Sequence, residues 1–159
     1  MRWLSIDPGE MTGWAEWSDT ELIDAGQTPL IEFLDDVDGM TGEGGRIGRL
    51  VIEEFRIYPW KCEDLAFDPV RTARGIGALE FIARHAALEV VFQSATIKEA
   101  AIAGGAETLF RRPLHECRHM NDAIMHGVYF AAMSSPSVKI SVPGGGTVAA
   151  LAQDESDPV

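Results

Sequence analysis

The first 25 residues divide into three short apolar runs separated by turn formers, and this division limits the architecture more than any other feature of the chain. Arg2 to Asp7 ends in Asp7-Pro8-Gly9, Thr12 to Trp17 follows, and Glu21 to Ala25 comes after a second break. Runs this short, joined so tightly, predict an antiparallel meander of three strands. After Pro29 the period changes: Leu30, Ile31, Phe33, Leu34 and Val37 recur at helical spacing. Leu50-Val51-Ile52 is then a continuous apolar run entering Glu53-Glu54, which reads as a buried parallel strand with an unusually acidic end.

The second half alternates in the same way. Asp68-Pro69 offers a cap and a first-turn proline for a long helix over residues 70–87, and Val90-Val91-Phe92 is a fifth strand. Thr96-Ile97-Lys98-Glu99 has the form of a capping box, Gly104-Gly105 ends that helix, and a last helix is expected over 119–133. The order predicts an α/β domain over residues 1–134, a mixed five-stranded sheet of three antiparallel strands then two parallel ones, with helices on both faces. Residues 135–159, with Pro136, Pro143, Gly144-Gly145-Gly146 and an acidic end, are expected to form a flexible tail. A chain of 159 residues suits one such domain and is too short for two lobes closing on a nucleotide.

The formal charge of −12 argues at first sight against a nucleic-acid partner. Its distribution removes the objection. No Lys or Arg lies between Trp3 and Gly45, whereas from Arg46 to Arg118 eleven basic residues face ten acidic ones. With a Debye length of about 8 Å in cell-like salt, a ligand beside the middle segment is shielded from most of the acidic excess. No apolar run reaches the roughly 18 residues of a membrane span, and no secretory signal pattern opens the chain, so a cytoplasmic protein is expected. Cys62 and Cys117 form no C-x-x-C pair, and the spacing in His115-Glu116-Cys117-Arg118-His119 is narrower than that of zinc sites, so Cys117 is read as a packing residue.

Three elements place carboxylates where they could converge: Asp7 at the end of the first strand, Glu53 at the end of the fourth, and Asp122 on the last helix. Parallel neighbours would set Asp7 and Glu53 side by side, and such a cluster repels itself unless a cation occupies it. His119, Asp122 and His126 follow at helical spacing, so one helix face can present all three. Taken singly, Asp-Pro-Gly is a common turn, Glu53 and Glu54 a solvated strand end, and His126 a packing residue. Their conjunction along one fold points to chemistry.

The run Leu4-Ser5-Ile6-Asp7-Pro8-Gly9 with Thr12-Gly13-Trp14, then Val51-Ile52-Glu53-Glu54, Ala73-Arg74-Gly75, Thr96-Ile97-Lys98 and His119-Met120-Asn121-Asp122-Ala123 resembles the RuvC-type Holliday junction resolvases of the ribonuclease H-like superfamily. The small phage versions look most similar. The resemblance implies an endonuclease that resolves four-way DNA junctions with two Mg²⁺ or Mn²⁺ ions, giving 5′-phosphate and 3′-hydroxyl ends. Asp7 would bridge both ions, Glu53 would hold one and Asp122 the other, and His119 would steer the attacking water or assist at a metal. Lys98 matches a basic position near the scissile backbone. The long helix implies a homodimer interface, with the small residues Gly75, Gly77 and Ala78 allowing close approach. Where the family has an aromatic residue soon after the glutamate, this chain has Arg56, flanked by Phe55 and Tyr58, with Trp60 nearby; these, with Arg71, Arg74, Arg111 and Arg112, are the expected DNA contacts.

Alternatives are a looser branched-DNA nuclease of the same fold, acting on flaps or forks, and a non-catalytic junction-binding module. Asp7-x-Gly9-x-x-Thr12-Gly13 also resembles the first phosphate loop of the actin-like ATPases, which need a second similar domain.

Overall fold

The computed structural model describes residues 1–42, 44–56, 70–110, 112–113, 116–134, 140–141 and 147–148. The meander forms β1 (Arg2–Asp7), β2 (Met11–Ser18) and β3 (Glu21–Pro29), followed by α1 (Leu30–Thr41) and β4 (Ile47–Glu53). Helix α2 (Arg71–His85), β5 (Glu89–Gln93), α3 (Ile97–Ala103), a 3-10 turn (Ala106–Leu109) and α4 (Arg118–Ser134) complete the expected order. The central five strands run β5-β4-β1-β2-β3, with β1, β4 and β5 parallel and β2 antiparallel to both its neighbours.

Two details go beyond the sequence reading. Strand β3 continues four residues past Ala25, because Gly26, Gln27 and Thr28 still pair with β2 and Thr28 Oγ1 accepts a hydrogen bond from Trp14 Nε1 at 3.1 Å. Two short strands, β6 (Ile140–Ser141) and β7 (Thr147–Val148), fall within the segment expected as a tail and extend the sheet edge beyond β3.

The two sheet faces carry separate apolar clusters, as strand alternation requires. Leu4, Ile6, Leu50 and Ile52 pack with Phe33, Val37, Leu79 and Ala83 of α1 and α2. Trp3, Ala15, Trp17 and Val51 pack with Ala101 of α3 and with Ile124, Val128 and Ala131 of α4. Trp3 and Trp17 stack at 5.2 Å, and the edge of Phe130 meets Trp3 at 5.0 Å, so this face is closed by large aromatic area at the end away from Asp7. Gly75 brings α2 against α1: a Cβ there would lie 2.8 Å from Leu30 Cδ1. That contact gives at least one of the small residues on α2 a packing role within this chain.

Candidate active site

Strand parity decides which carboxylates meet. On β1, Trp3 and Ser5 face α4 while Leu4 and Ile6 face α1 and α2, so Asp7 falls on the α4 side. On β4, Val51 faces α4, so Glu53 does also. The register Ser5↔Val51 and Ile6↔Ile52 then sets Asp7 and Glu53 side by side at the carboxyl ends of parallel strands, and Glu53 pairs in turn with Gln93 on β5.

Helix α4 reaches this row because nothing on β2 stands in its way. Asp7 pairs with Gly13 across the β1–β2 ladder, and a Cβ on Gly13 would lie 1.8 Å from the carbonyl oxygen of His119. Only glycine lets the first turn of α4 settle there. Further along, Ser5 Oγ donates to the carbonyl oxygen of Ala123 at 2.7 Å and accepts from Trp17 Nε1 at 2.9 Å, which pins the helix to the sheet one residue past Asp122.

The side chains then interlock. His119 Nδ1 donates to Asp7 Oδ2 at 2.7 Å. Lys98, in the first turn of α3, places Nζ 2.8 Å from both Glu53 Oε2 and Asp122 Oδ2, and so bridges the two acids. Arg118 lies one turn before Asp122, with Nε 3.9 Å from Oδ2. Thr96 makes no side-chain cap to α3; its hydroxyl lies 3.1 Å from Ser94 Oγ instead, so the capping box expected from the sequence does not form.

Charge is not balanced evenly in this cluster. Burial raises the Asp7 carboxyl, the adjacent charge of Glu53 raises it further, and hydrogen bonding from His119 and attraction to Lys98 only partly offset this, leaving a pKa of about 7. For Glu53, burial also acts upward, but hydrogen bonds from His126 and Lys98 overcome it and bring the pKa down to about 2. Burial works against the Lys98 charge, yet its bonds to Asp122 and Glu53 raise its pKa above the ordinary lysine value.

Among the described residues, no three His, Cys, Asp or Glu side chains stand in an arrangement that could hold a metal ion. The ammonium of Lys98 bridges Glu53 and Asp122. The donor chemistry nevertheless fits a hard divalent cation: Asp7, Glu53 and Asp122 offer three carboxylates, and burial together with the neighbouring Glu53 charge holds the Asp7 pKa at about 7.

A cleft of about 200 Å³ opens beside Glu53, lined by Pro8, Glu54, Phe55, Arg56, Thr72 and Ser94 among others. It joins the carboxylate row to the first turn of α2. Two residues of the expected DNA-contact set, Phe55 and Arg56, line it, and Arg56 pairs with Glu54 at 2.6 Å. Arg71 pairs with Glu10 at 2.6 Å, Arg74 is exposed on α2, and Arg112 is exposed near the start of α4. Tyr58 and Arg111, with Trp60, Lys61 and the expected Asp68-Pro69 cap, lie outside the described residues.

Two residues not assigned to the site from the sequence take part in it. His126 is fully buried, and its Nε2 donates to Glu53 Oε2 at 2.8 Å. Its Nδ1 lies 2.8 Å from Gln93 Oε1. The spacing from Asp122 to His126 showed that they share a helix face, but that the face meets Glu53 required the packing of α4.

No helix among the described residues is long and apolar enough to cross a membrane. No protein-family model matches the chain, and no curated protein matches it. Solved structures do. A structure described as Thermus thermophilus RuvC in complex with Holliday junction substrate is similar with a TM-score of 0.59 at 17% identity, over 85% of this chain and 98% of that one. A second Thermus thermophilus RuvC structure is similar with the same TM-score and coverage, at 16% identity. The chain has the RuvC-type, ribonuclease H-like fold.

Proposed function

We propose that this chain is a divalent-metal-dependent endonuclease that cuts DNA at four-way junctions. The observation that carries the proposal is the convergence of Asp7, Glu53 and Asp122 at the carboxyl ends of β1 and β4 beneath α4, in a fold shared with a protein whose structure holds a Holliday junction substrate. Asp7, Glu53 and Asp122 would hold two Mg²⁺ or Mn²⁺ ions. When bound, such ions lower the pKa of an attacking water and stabilise the leaving 3′-oxygen of an in-line displacement.

The residues of the chain divide the remaining tasks. His119 orients Asp7 through Nδ1, and its Nε2 then carries the lone pair that can accept a proton from the water. Lys98 exchanges its two carboxylate partners for a phosphate oxygen as the DNA backbone enters, so the ammonium that offsets the cluster's charge in the free protein offsets the substrate's charge in the complex. Phe55 offers a face for an unstacked base at the crossover. Arg56, Arg71, Arg74 and Arg112, together with Tyr58 and Arg111, contact backbone and bases around the cleft. The nuclease unit is residues 1–134, with 135–159 appended, and it acts as a homodimer so that two sites address two strands.

The test is cleavage of a mobile four-way junction, a flap and a linear duplex in Mg²⁺ and in Mn²⁺. Paired, symmetric nicks confined to the junction, with 5′-phosphate ends, are expected. Equal cutting of flaps with unpaired junction nicks would replace the resolvase reading with a broader branched-DNA nuclease, and junction binding without cleavage in either metal would leave a binding module.

A further inference from the structure

We propose that His126 and Gln93 form a positioning pair that holds the Glu53 carboxylate in place for cation binding, an inference that rests on the metal-dependent reading above. The first observation is burial. His126 has no exposed surface and lies on the α4 face that packs against the sheet, where an apolar side chain would cost nothing to bury and an imidazole is tolerated only if its nitrogens are bonded. Both have an oxygen partner: Nε2 meets Glu53 Oε2 and Nδ1 meets Gln93 Oε1, each at 2.8 Å. A ring bonded at both nitrogens in the interior has a fixed orientation.

The second observation is the contrast between the two groups that reach the same oxygen. Lys98 Nζ and His126 Nε2 both lie 2.8 Å from Glu53 Oε2, but the Lys98 side chain is 22% exposed on a long flexible stem, whereas the ring is sealed in the core. When Lys98 turns to a phosphate, His126 stays. Glu53 therefore keeps its orientation while its neutralising ammonium leaves.

The third observation is connectivity. Asp122 and His126 stand one turn apart on α4, so the helix that carries one carboxylate of the site also holds another from β4, and Gln93 ties the arrangement to β5. The spacing between Asp122 and Glu53, which belong to different elements, is thereby set through a single rigid helix. His126 and Gln93 act through Glu53 and touch neither ion nor substrate.

The amide isosteres separate the two bonds of the ring. His126→Gln carries a donor near the position of Nε2 and preserves the bond to Glu53; His126→Asn carries one near Nδ1 and preserves only the bond to Gln93. Mn²⁺ affinity, measured by calorimetry on the DNA-free protein, should fall about tenfold in His126→Asn and recover to within about threefold of the parent in His126→Gln, the range in which partners of metal ligands act. Junction cleavage should follow the same order through kcat with little change in KM. If His126→Asn does not fold, Gln93→Leu serves in its place and should weaken Mn²⁺ about threefold. Parent-like Mn²⁺ affinity in the folded His126→Asn variant, or in Gln93→Leu, would overturn the proposal. Failure of the parent protein itself to bind Mn²⁺ would overturn the metal reading beneath it, a result visible before any variant is made.

Discussion

Two buried carboxylates on neighbouring strands of the same sheet have opposite surroundings. Glu16, on β2, is 4% exposed and accepts from Arg2 Nη1 at 2.7 Å and from Arg46 Nη2 at 3.0 Å. Asp7, at the end of β1, is 7% exposed, and its neighbour on the next strand is another acid. Glu16 meets two guanidinium groups, so its charge is settled inside the fold. Asp7 meets one histidine, the more distant charge of Lys98 and the negative charge of Glu53, and burial first, then the Glu53 charge, raises its pKa to about 7. A structural carboxylate is paired within the fold; a buried carboxylate set beside another acid is a candidate functional group.

The largest expected effect lies on the Asp7 side of this comparison. Asp7→Asn, and equally Asp122→Asn, should lower junction cleavage about a thousandfold, since metal-borne charge stabilisation is worth several kcal/mol. Junction binding in a gel-shift assay should be retained or tighter, because a negative charge facing phosphate has gone. Gly13→Ala comes next. Its methyl would meet the His119 carbonyl, so α4 must shift away from β2, with about 1–3 kcal/mol lost in denaturant unfolding and about a hundredfold lost in cleavage as His119 and Asp122 leave register.

Glu16→Gln should do the converse. Removing the acid from between two arginines costs about 1–2 kcal/mol, less than for a fully sealed pair because the Arg side chains are 42% and 51% exposed, and cleavage should not change. A thermal melt and the same cleavage assay check both halves. The gentlest effect is a slope. Asp7 is protonated in the fold and ionised in the unfolded chain between pH 3.8 and about 7, so in chelator its contribution to stability falls as pH rises through that window. Glu53 acts in the opposite sense, its contribution being full above pH 4.5 and lost as pH falls towards about 2. Each group contributes at most about 1.4 kcal/mol per pH unit, and Asp7→Asn should flatten the upper slope alone in denaturant titrations at pH 5 and pH 8.

Much of the fold was legible because its strands announce themselves by parity and turn chemistry. The Asp-Pro-Gly turn after β1, the apolar run into Glu53 and the helical spacing around Asp122 each carry their own local signal. The convergence of Asp7 and Glu53 followed from parallel pairing alone. The partners of Glu53 did not: Gln93 is an ordinary strand-end residue, and His126 reads as packing until α4 is laid on the sheet. Lys98 was legible as a basic residue near the site but not as the bridge between Glu53 and Asp122, because a lysine's reach leaves its partners undetermined. The end of β3 and the strands β6 and β7 lack apolar alternation altogether, and their pairing comes from the neighbouring edge rather than from their own composition.

Divalent-cation binding at this site should displace the proton held by Asp7. Calorimetric titration of Mn²⁺ at pH 6, repeated in buffers of different ionisation enthalpy, counts the protons released on binding. Close to one proton released by the parent protein, a smaller release at pH 8, and loss of that proton in Asp7→Asn are expected. Release of the same number of protons by Asp7→Asn, or tight Mn²⁺ binding at pH 6 with no release at all, would contradict this expectation.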